Sequence, residues 1–202
     1  MPIATPTIDV VSVLPLVIVA ATALLTLVLG VLLPRRQTHT LGLIALLGLG
    51  AAAAAALALW GMTGTAYGGM LATDNLSLFF SLVILAGGAL AILLSWEYLD
   101  REGISYGEFF TLILLAVAGM MLLAAANDLL VVFLSLETLS LALYILVGFA
   151  RERASSEEAA LKYFLLGAFA SATLLYGIAL VYGATGVTSL AGLAAAGSSG
   201  GL

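Results

Sequence analysis

The sequence predicts an all-α fold, a polytopic membrane helix bundle of about six transmembrane helices. Composition, six long apolar runs and the placement of arginine predict it. Of the 202 residues, 63% are hydrophobic and 8% are charged, and the mean hydropathy is +1.24, whereas roughly a quarter of the residues in a soluble domain are charged. A water-facing surface cannot be built from this composition, so we expect lipid to surround most of the chain.

Six stretches are long enough to cross a bilayer, which takes roughly 20 apolar residues in a helix. They cover residues 11–33, 41–60, 76–96, 109–126, 129–149 and 157–182. Helices 1–3 then occupy residues 1–107, and helices 4–6 occupy residues 108–187. We interpret the Gly/Ser-rich residues 188–202 as a tail or loop.

Helix-breaking or acidic residues separate the runs. Pro34 ends the first run, and the glycine-rich residues 61–64 end the second. Asp74, Glu108 and Asp128 stand where the third, fourth and fifth helices begin. A carboxylate at a helix start caps free N–H groups and complements the helix dipole. We therefore assign these three acids to capping rather than to chemistry.

All five arginines fall on one side of the predicted membrane. Arg35 and Arg36 follow helix 1, Arg101 follows helix 3, and Arg151 and Arg153 follow helix 5. Loops that stay in the cytoplasm are enriched in Lys and Arg. One missed or invented helix would have scattered the arginines across both sides. The pattern supports six helices and predicts that both termini lie outside.

Glu137 is the first candidate site residue, because it interrupts the apolar fifth helix near its middle. It lies about nine residues from the outer end, on the order of 14 Å deep at helical rise. An ionised carboxylate at that depth is costly and marks a functional site by default. Ser140, Tyr144 and Gly148 share its helical face. The alternative is a structural, hydrogen-bonded acid.

Lys162 is the second candidate, one to two turns into helix 6 from the cytoplasmic end. Its depth differs from that of Glu137 by roughly 10 Å, so a direct salt bridge is conceivable but a water-linked relay is favoured. Gly167 and Ser171 lie on the opposite face of helix 6, as a small surface suited to close packing. The alternative reading of Lys162 is an interfacial lysine that extends its ammonium toward water.

Other chemistry is excluded or unsupported. The chain has no cysteine, which removes disulfides, thiolate metal ligands and cysteine-ligated iron–sulfur clusters. His39 is the single histidine, and we expect it to be a solvated loop residue rather than a ligand. No phosphate-binding loop, nucleophile constellation or metal-ligand spacing is present. We expect no cofactor in this chain and no partner among nucleic acids.

Four of the predicted helices carry motifs of one known family. The fifth helix contains NDLL at residues 127–130, LETLSL at 136–141 and YIL at 144–146. The sixth contains ALKYFLLGAFAS at residues 160–171, LLYGIAL at 174–180 and YGATG at 182–186. DNLSLFF at residues 74–80, EFF at 108–110 and GMM at 119–121 belong to helices three and four. These segments resemble the antiporter-like membrane subunits of respiratory complex I, and the sixth helix resembles the subunit N family specifically.

The resemblance implies a proton-translocating membrane subunit of NADH:quinone oxidoreductase, embedded in lipid in a bacterial plasma membrane beside the other membrane subunits. It implies that FMN, iron–sulfur clusters, NADH and quinone are handled by partner subunits. Glu137 matches the family's helix-five glutamate, and Lys162 matches its helix-six lysine. The family has about fourteen helices in two inverted repeats, so residues 108–187 would begin the first repeat. The sequence would then be a fragment, a partial record or one piece of a split subunit.

Two other functions remain open at this point. One is an antiporter subunit of a multisubunit cation/proton exchanger or of a membrane-bound hydrogenase, which shares the helix-five glutamate. The other is a membrane scaffold with no role in translocation, in which Glu137 would serve structure alone.

Overall fold

A computed structural model describes residues 10–32, 38–101 and 107–198 and shows a bundle of antiparallel helices with a small β-hairpin at one end. In chain order the elements are α1 Leu14–Leu32, α2 Thr38–Ala58, β1 Gly64–Ala66, β2 Leu71–Thr73, α3 Asn75–Arg101, α4 Glu108–Ala124, α5 Leu129–Val147, α6 Ala154–Thr185 and α7 Leu190–Ser198. Arg35 and Arg36 lie outside the described residues.

Six of these helices have the length and character of membrane spans. Five of them, α1, α2, α3, α5 and α6, are at least 18 residues long and strongly apolar. The sixth, α4, has 17 residues, about 26 Å at helical rise, which is the lower end of the spanning range. The prediction of an all-α, multi-pass membrane bundle of about six helices is confirmed.

The core of the bundle forms around α4, which is buried on most of its faces. Phe110, Leu114 and Val117 are 0%, 0% and 1% exposed. A helix that is apolar all round is typical of such a central position. The buried polar residue of α4, Thr111, shares a 3.0 Å hydrogen bond between hydroxyl oxygens with Thr26 of α1. The pairing satisfies two hydroxyl groups that lipid could not solvate.

One end of the bundle is closed by a hydrogen-bonded layer, which we call the outer layer because the arginine pattern of the sequence predicts that this end lies outside. It comprises the β1–β2 hairpin, the α4–α5 turn and the segment between α6 and α7. Asn127 joins all three: its N–H donates to Met70 O at 2.9 Å and its side-chain amide to Gly69 O at 2.9 Å. Its carbonyl accepts from the N–H of Leu190 at 3.1 Å. Backbone groups freed at these turns thus find partners within the protein.

The opposite end carries the described arginines. Arg101 is the last residue of α3, and Arg151 and Arg153 lie between α5 and α6. Because α3 and α5 both begin at the outer layer, these three residues share the far end of the bundle. The structure is therefore consistent with the predicted one-sided placement of these three arginines.

Two elements differ from the sequence-based expectation. The glycine-rich stretch after α2 forms an antiparallel hairpin in which Gly64 pairs with Thr73. Residues 190–198 form α7, where we expected a tail or loop. The N–H of Gly192 donates to Ser189 Oγ at 3.2 Å, and alanine favours helix strongly. A capping serine before an alanine-rich run therefore outweighs the Gly/Ser composition that suggested a loop.

Two of the three acids at helix starts cap as the sequence predicts. The third, Glu108, lies in the first turn of α4, whose N-cap residue is Gly107 and has no side-chain cap hydrogen bond. Asp74 Oδ1 accepts from the N–H of Ser77 at 2.7 Å, which caps the first turn of α3. Asp128 Oδ1 accepts from the N–H of Leu130 at 2.8 Å and caps α5. Asp128 Oδ2 also accepts from the Thr188 hydroxyl at 2.6 Å. This second bond ties the start of α5 to the segment after α6.

Candidate functional site: a mid-membrane carboxylate

Glu137 lies at the middle of α5, eight residues after Leu129 and ten before Val147. Its side chain is partly buried. The Oε1 atom is fully shielded and has no hydrogen-bond partner in the described part of the chain. A buried carboxylate oxygen without a partner is costly, and such atoms occur where a proton, a water or a second group is to be received.

The face of α5 that carries Glu137 is turned toward α6. Tyr144 and Gly148 follow Glu137 by seven and eleven residues, which places all three on one stripe of the helix. The phenol of Tyr144 covers Gly167 of α6 so closely that a Cβ there would overlap its oxygen. A Cβ on Gly148 would lie 2.9 Å from Ala160 Cβ. The stripe is thus the α5–α6 contact.

These contacts set the register between the two helices. Gly148 lies against Ala160, Tyr144 lies against Gly167, and the helices are antiparallel. Glu137 is therefore level with residues 171–174 of α6. Ser171 lies at this level and is partly buried, in contrast to most of α6. The predicted packing face is confirmed at Gly167, and the partial burial of Ser171 is consistent with it.

The other side of α5 is held by α4. A Cβ on Gly119 would lie 2.7 Å from the backbone nitrogen of Leu139, so the two backbones are in direct contact there. Small residues permit this approach between membrane helices. Leu139 is two residues from Glu137, and the Gly119 contact therefore fixes the depth of the carboxylate.

Lys162 lies on the face of α6 that points away from α5. It is strongly exposed in this chain, as are Leu166, Phe169 and Tyr176 on the same face. Its ammonium forms an ion pair with Glu158, one turn earlier on α6. The division of α6 into a packing face and a lysine face, expected from its sequence, is confirmed.

Glu137 and Lys162 are not brought together. The α5–α6 register places Lys162 level with residues 146–149 of α5, which is nine to twelve residues from Glu137. At about 1.5 Å per residue the axial separation is roughly 14–18 Å. This exceeds the roughly 10 Å expected from depth alone, and the two residues also lie on different faces. A direct salt bridge between them is absent from the structure.

Sequence reasoning missed Glu158, the residue that actually holds Lys162. The available signal was the spacing: a glutamate four residues before a lysine forms a favourable helical pair. Trp96 of α3 packs on Gly42 of α2, and its Nε1 is buried without a partner in the described part of the chain.

No cluster of three or more metal-ligand side chains occurs among the described residues. His39 falls in the first turn of α2 rather than in a loop, and its exposed ring stands edge-on to Trp96 with centroids 6.1 Å apart. The glutamate on α5 and the charged pair on α6 therefore remain the two groups of interest.

Comparison with known proteins defines the class first. Residues 126–200 match the transmembrane family described as NADH:quinone oxidoreductase/Mrp antiporter. Together with the apolar helix bundle, this match supports a multi-pass membrane protein that is similar to the antiporter-like class. The Mrp complex from a Dietzia species shares the fold, with a TM-score of 0.70 at 24% identity over 90% of this chain and 20% of that one.

More particularly, the chain is a homologue of NADH-quinone oxidoreductase subunit N. It is 46% identical to that subunit from Chloroflexus aggregans over 98% of this chain and 40% of the relative. It superimposes on a chain of respiratory complex I from Thermus thermophilus with a TM-score of 0.74 and 40% identity, covering 87% of this chain and 38% of that one. The chain spans about 40% of the length of the curated relatives it matches.

Proposed function

We propose that this chain is part of a proton-translocating membrane subunit of NADH:quinone oxidoreductase. The observation that carries the proposal is the carboxylate of Glu137, at mid-depth in α5 with one shielded oxygen unpartnered in the described part of the chain. Membrane helices seldom retain an acid at this depth unless it serves transport. The subunit N relatives at 40–46% identity favour complex I over an exchanger.

Glu137 takes the role of a proton-holding station. Its protonated form is neutral and suits the apolar surroundings, and its ionised form needs a nearby cation or water. The free Oε1 gives it a site at which a water or a donor group can bind. Proton uptake and release at this carboxylate are then controlled by the charges and water molecules on the α6 side of α5.

Lys162 acts as a cationic station nearer the arginine end. Because it lies roughly 14–18 Å along the helix axis from Glu137, protons pass between them through water or other groups. Ser140 and Tyr144 lie on the Glu137 stripe in the intervening part of α5, and their hydroxyls offer hydrogen-bond partners to such water. In the structure, the carboxylate of Glu158 forms an ion pair with this ammonium.

Electron transfer takes place on partner subunits in this proposal. FMN, iron–sulfur clusters, NADH and quinone are bound there, and the other membrane subunits are the neighbours of this one. The membrane is the bacterial plasma membrane, with the arginine end in the cytoplasm by the positive-inside rule. The N-terminus and the outer layer then face outward.

The test is a Glu137→Gln substitution in the assembled complex, in inverted membrane vesicles. Glutamine keeps the shape of the side chain and removes the titratable proton, so NADH-driven acidification should fall sharply while assembly and NADH:quinone electron transfer competence persist. Glu108→Gln, the same change in the first turn of α4, is the matched control and should leave pumping intact. Normal acidification per electron in Glu137→Gln would support a scaffold instead. Co-purification with further antiporter subunits, without flavin or iron–sulfur subunits, would identify an exchanger.

A further inference from the structure

A small cavity lies beneath the outer layer, away from Glu137. It has a volume of about 30 Å³, is partly open, and is bordered by the start of α1, β2, the first turns of α3, and α4. Its polar lining comes from Ser12, Thr73, Ser77 and Ser81, and Met121 of α4 forms part of its wall. A water molecule needs roughly 10–15 Å³ of such space and two to four polar partners. The cavity meets the volume requirement.

The Ser81 hydroxyl is the unexplained group in this cavity. Ser81 is 7% exposed. Its hydroxyl forms no hydrogen bond within the described part of the chain, and its oxygen is not among the fully shielded ones, so it keeps some accessible surface. Ser95, another buried serine of α3, instead donates to Ile92 O at 2.8 Å. Buried hydroxyls are nearly always satisfied by protein or ordered water. The hydroxyl of Ser81 is therefore available to a water molecule in the cavity.

The two neighbouring hydroxyls have the complementary capacity. Thr73 Oγ1 donates to Ser12 O at 3.0 Å, which leaves its acceptor lone pairs free. Ser77 Oγ donates to Asp74 O and accepts from the N–H of Asp74, which leaves one lone pair. A water molecule can accept from Ser81 and donate to both. The partner count thus reaches three, the usual number for a buried water.

We propose that this cavity is an ordered water site that links Ser81 of α3 to Thr73 of the hairpin. The bound water completes the hydrogen bonding of three buried hydroxyls and joins α3 to the outer layer. It is independent of the proposed proton stations, because the cavity is lined by α1, β2, α3 and α4 and includes no residue of α5 or α6.

Radiolytic labelling with short X-ray pulses tests the site, because hydroxyl radicals formed from bound water oxidise adjacent side chains. Met121 is 2% exposed, so it should be labelled if a water lies beside it. The label should be lost in Ser81→Val, which fills the cavity and removes the hydroxyl. Ser95→Val is the matched control and should keep the label. The measurement uses the full-length protein in its native membrane assembly.

Electron density gives a second readout that does not depend on a variant folding. A high-resolution map of the wild-type assembly should contain a peak within hydrogen-bond distance of both Ser81 Oγ and Thr73 Oγ1. Ser81→Ala keeps the cavity but removes one partner, and should weaken that peak. An unlabelled Met121 in the wild-type protein, or a map with an empty cavity, would overturn the proposal.

Discussion

The phenol of Tyr144 on α5 rests directly on the backbone of Gly167 on α6, with no room for a side chain between them. The rings of Tyr163 and Phe164 flank the same phenol edge-on, at centroid distances of 4.9 and 5.7 Å. This contact sets the register of the two helices. It therefore sets the distance between Glu137 and Lys162.

Gly167→Ala should loosen the α5–α6 pair. The added methyl group overlaps the Tyr144 hydroxyl, and overpacking of this kind costs about 1–3 kcal/mol. The midpoint of thermal unfolding of the detergent-solubilised assembly should fall. Gly177→Ala on the same helix meets open space and serves as the control.

Tyr144→Phe combined with Gly167→Ala should recover part of that loss, because the closest overlapping atom is then absent. A double-mutant cycle measures the coupling. If the two effects simply add, the Tyr144 hydroxyl does not set the spacing.

Gly119→Ala should be more damaging than Gly167→Ala. Its methyl group would meet the backbone nitrogen of Leu139 at 2.7 Å, and a backbone cannot rotate aside as a side chain can. We expect α5 to shift and the yield of assembled protein to drop. Gly50→Ala on α2, where a Cβ meets nothing within 4 Å, should leave the yield unchanged, and equal losses in both variants would argue against a specific α4–α5 contact.

The substitutions Asp128→Ala and Thr188→Val distinguish the effects of the two hydrogen bonds that the Asp128 carboxylate accepts. Loss of Asp128 removes a helix cap worth about 1 kcal/mol and also the bond to Thr188. Amide hydrogen exchange should then quicken at Leu130 and near Leu190. Thr188→Val should quicken exchange near Leu190 alone. Faster exchange at Leu130 in Thr188→Val would show that the two bonds are not separable.

Glu158→Gln isolates the ion pair on α6. An exposed pair at this spacing contributes about 0.3–0.5 kcal/mol, so the thermal midpoint should barely move. Proton pumping should nevertheless change if Lys162 is a relay station, because its ammonium loses its holding partner. Glu97→Gln breaks the equivalent exposed pair with Arg101 on α3 and should leave pumping unaltered. Equal pumping in both variants would contradict the role assigned to Lys162.

Local chemistry explains which features could be read from the sequence. Apolar run length predicted the six spans, and carboxylates before apolar runs predicted the caps at Asp74 and Asp128. The spacing of Gly167 and Ser171 predicted the packing face of α6. Each of these depends on residues close together in the chain.

Features that depend on register between distant segments could not be read in this way. The offset between Glu137 and Lys162 follows from the Tyr144–Gly167 contact, and neither candidate residue takes part in that contact. The hairpin at Gly64–Thr73 is joined to the α4–α5 turn by two hydrogen bonds from Asn127, about sixty residues away. The water cavity at Ser81 arises where four elements meet. Helical periodicity gives no information about contacts between segments that are far apart in the sequence.

The outer layer has a mechanical consequence. Asn127 and Asp128 join the hairpin, the start of α5 and the segment after α6 to one another. Helices α5 and α6 are therefore held together at this end of the bundle, which acts as a pivot. Tilting about that pivot produces little displacement near the layer and the largest displacement at the far end. Any rearrangement that alters the surroundings of Lys162 would then separate the helices most at the end of the bundle that carries Arg151 and Arg153.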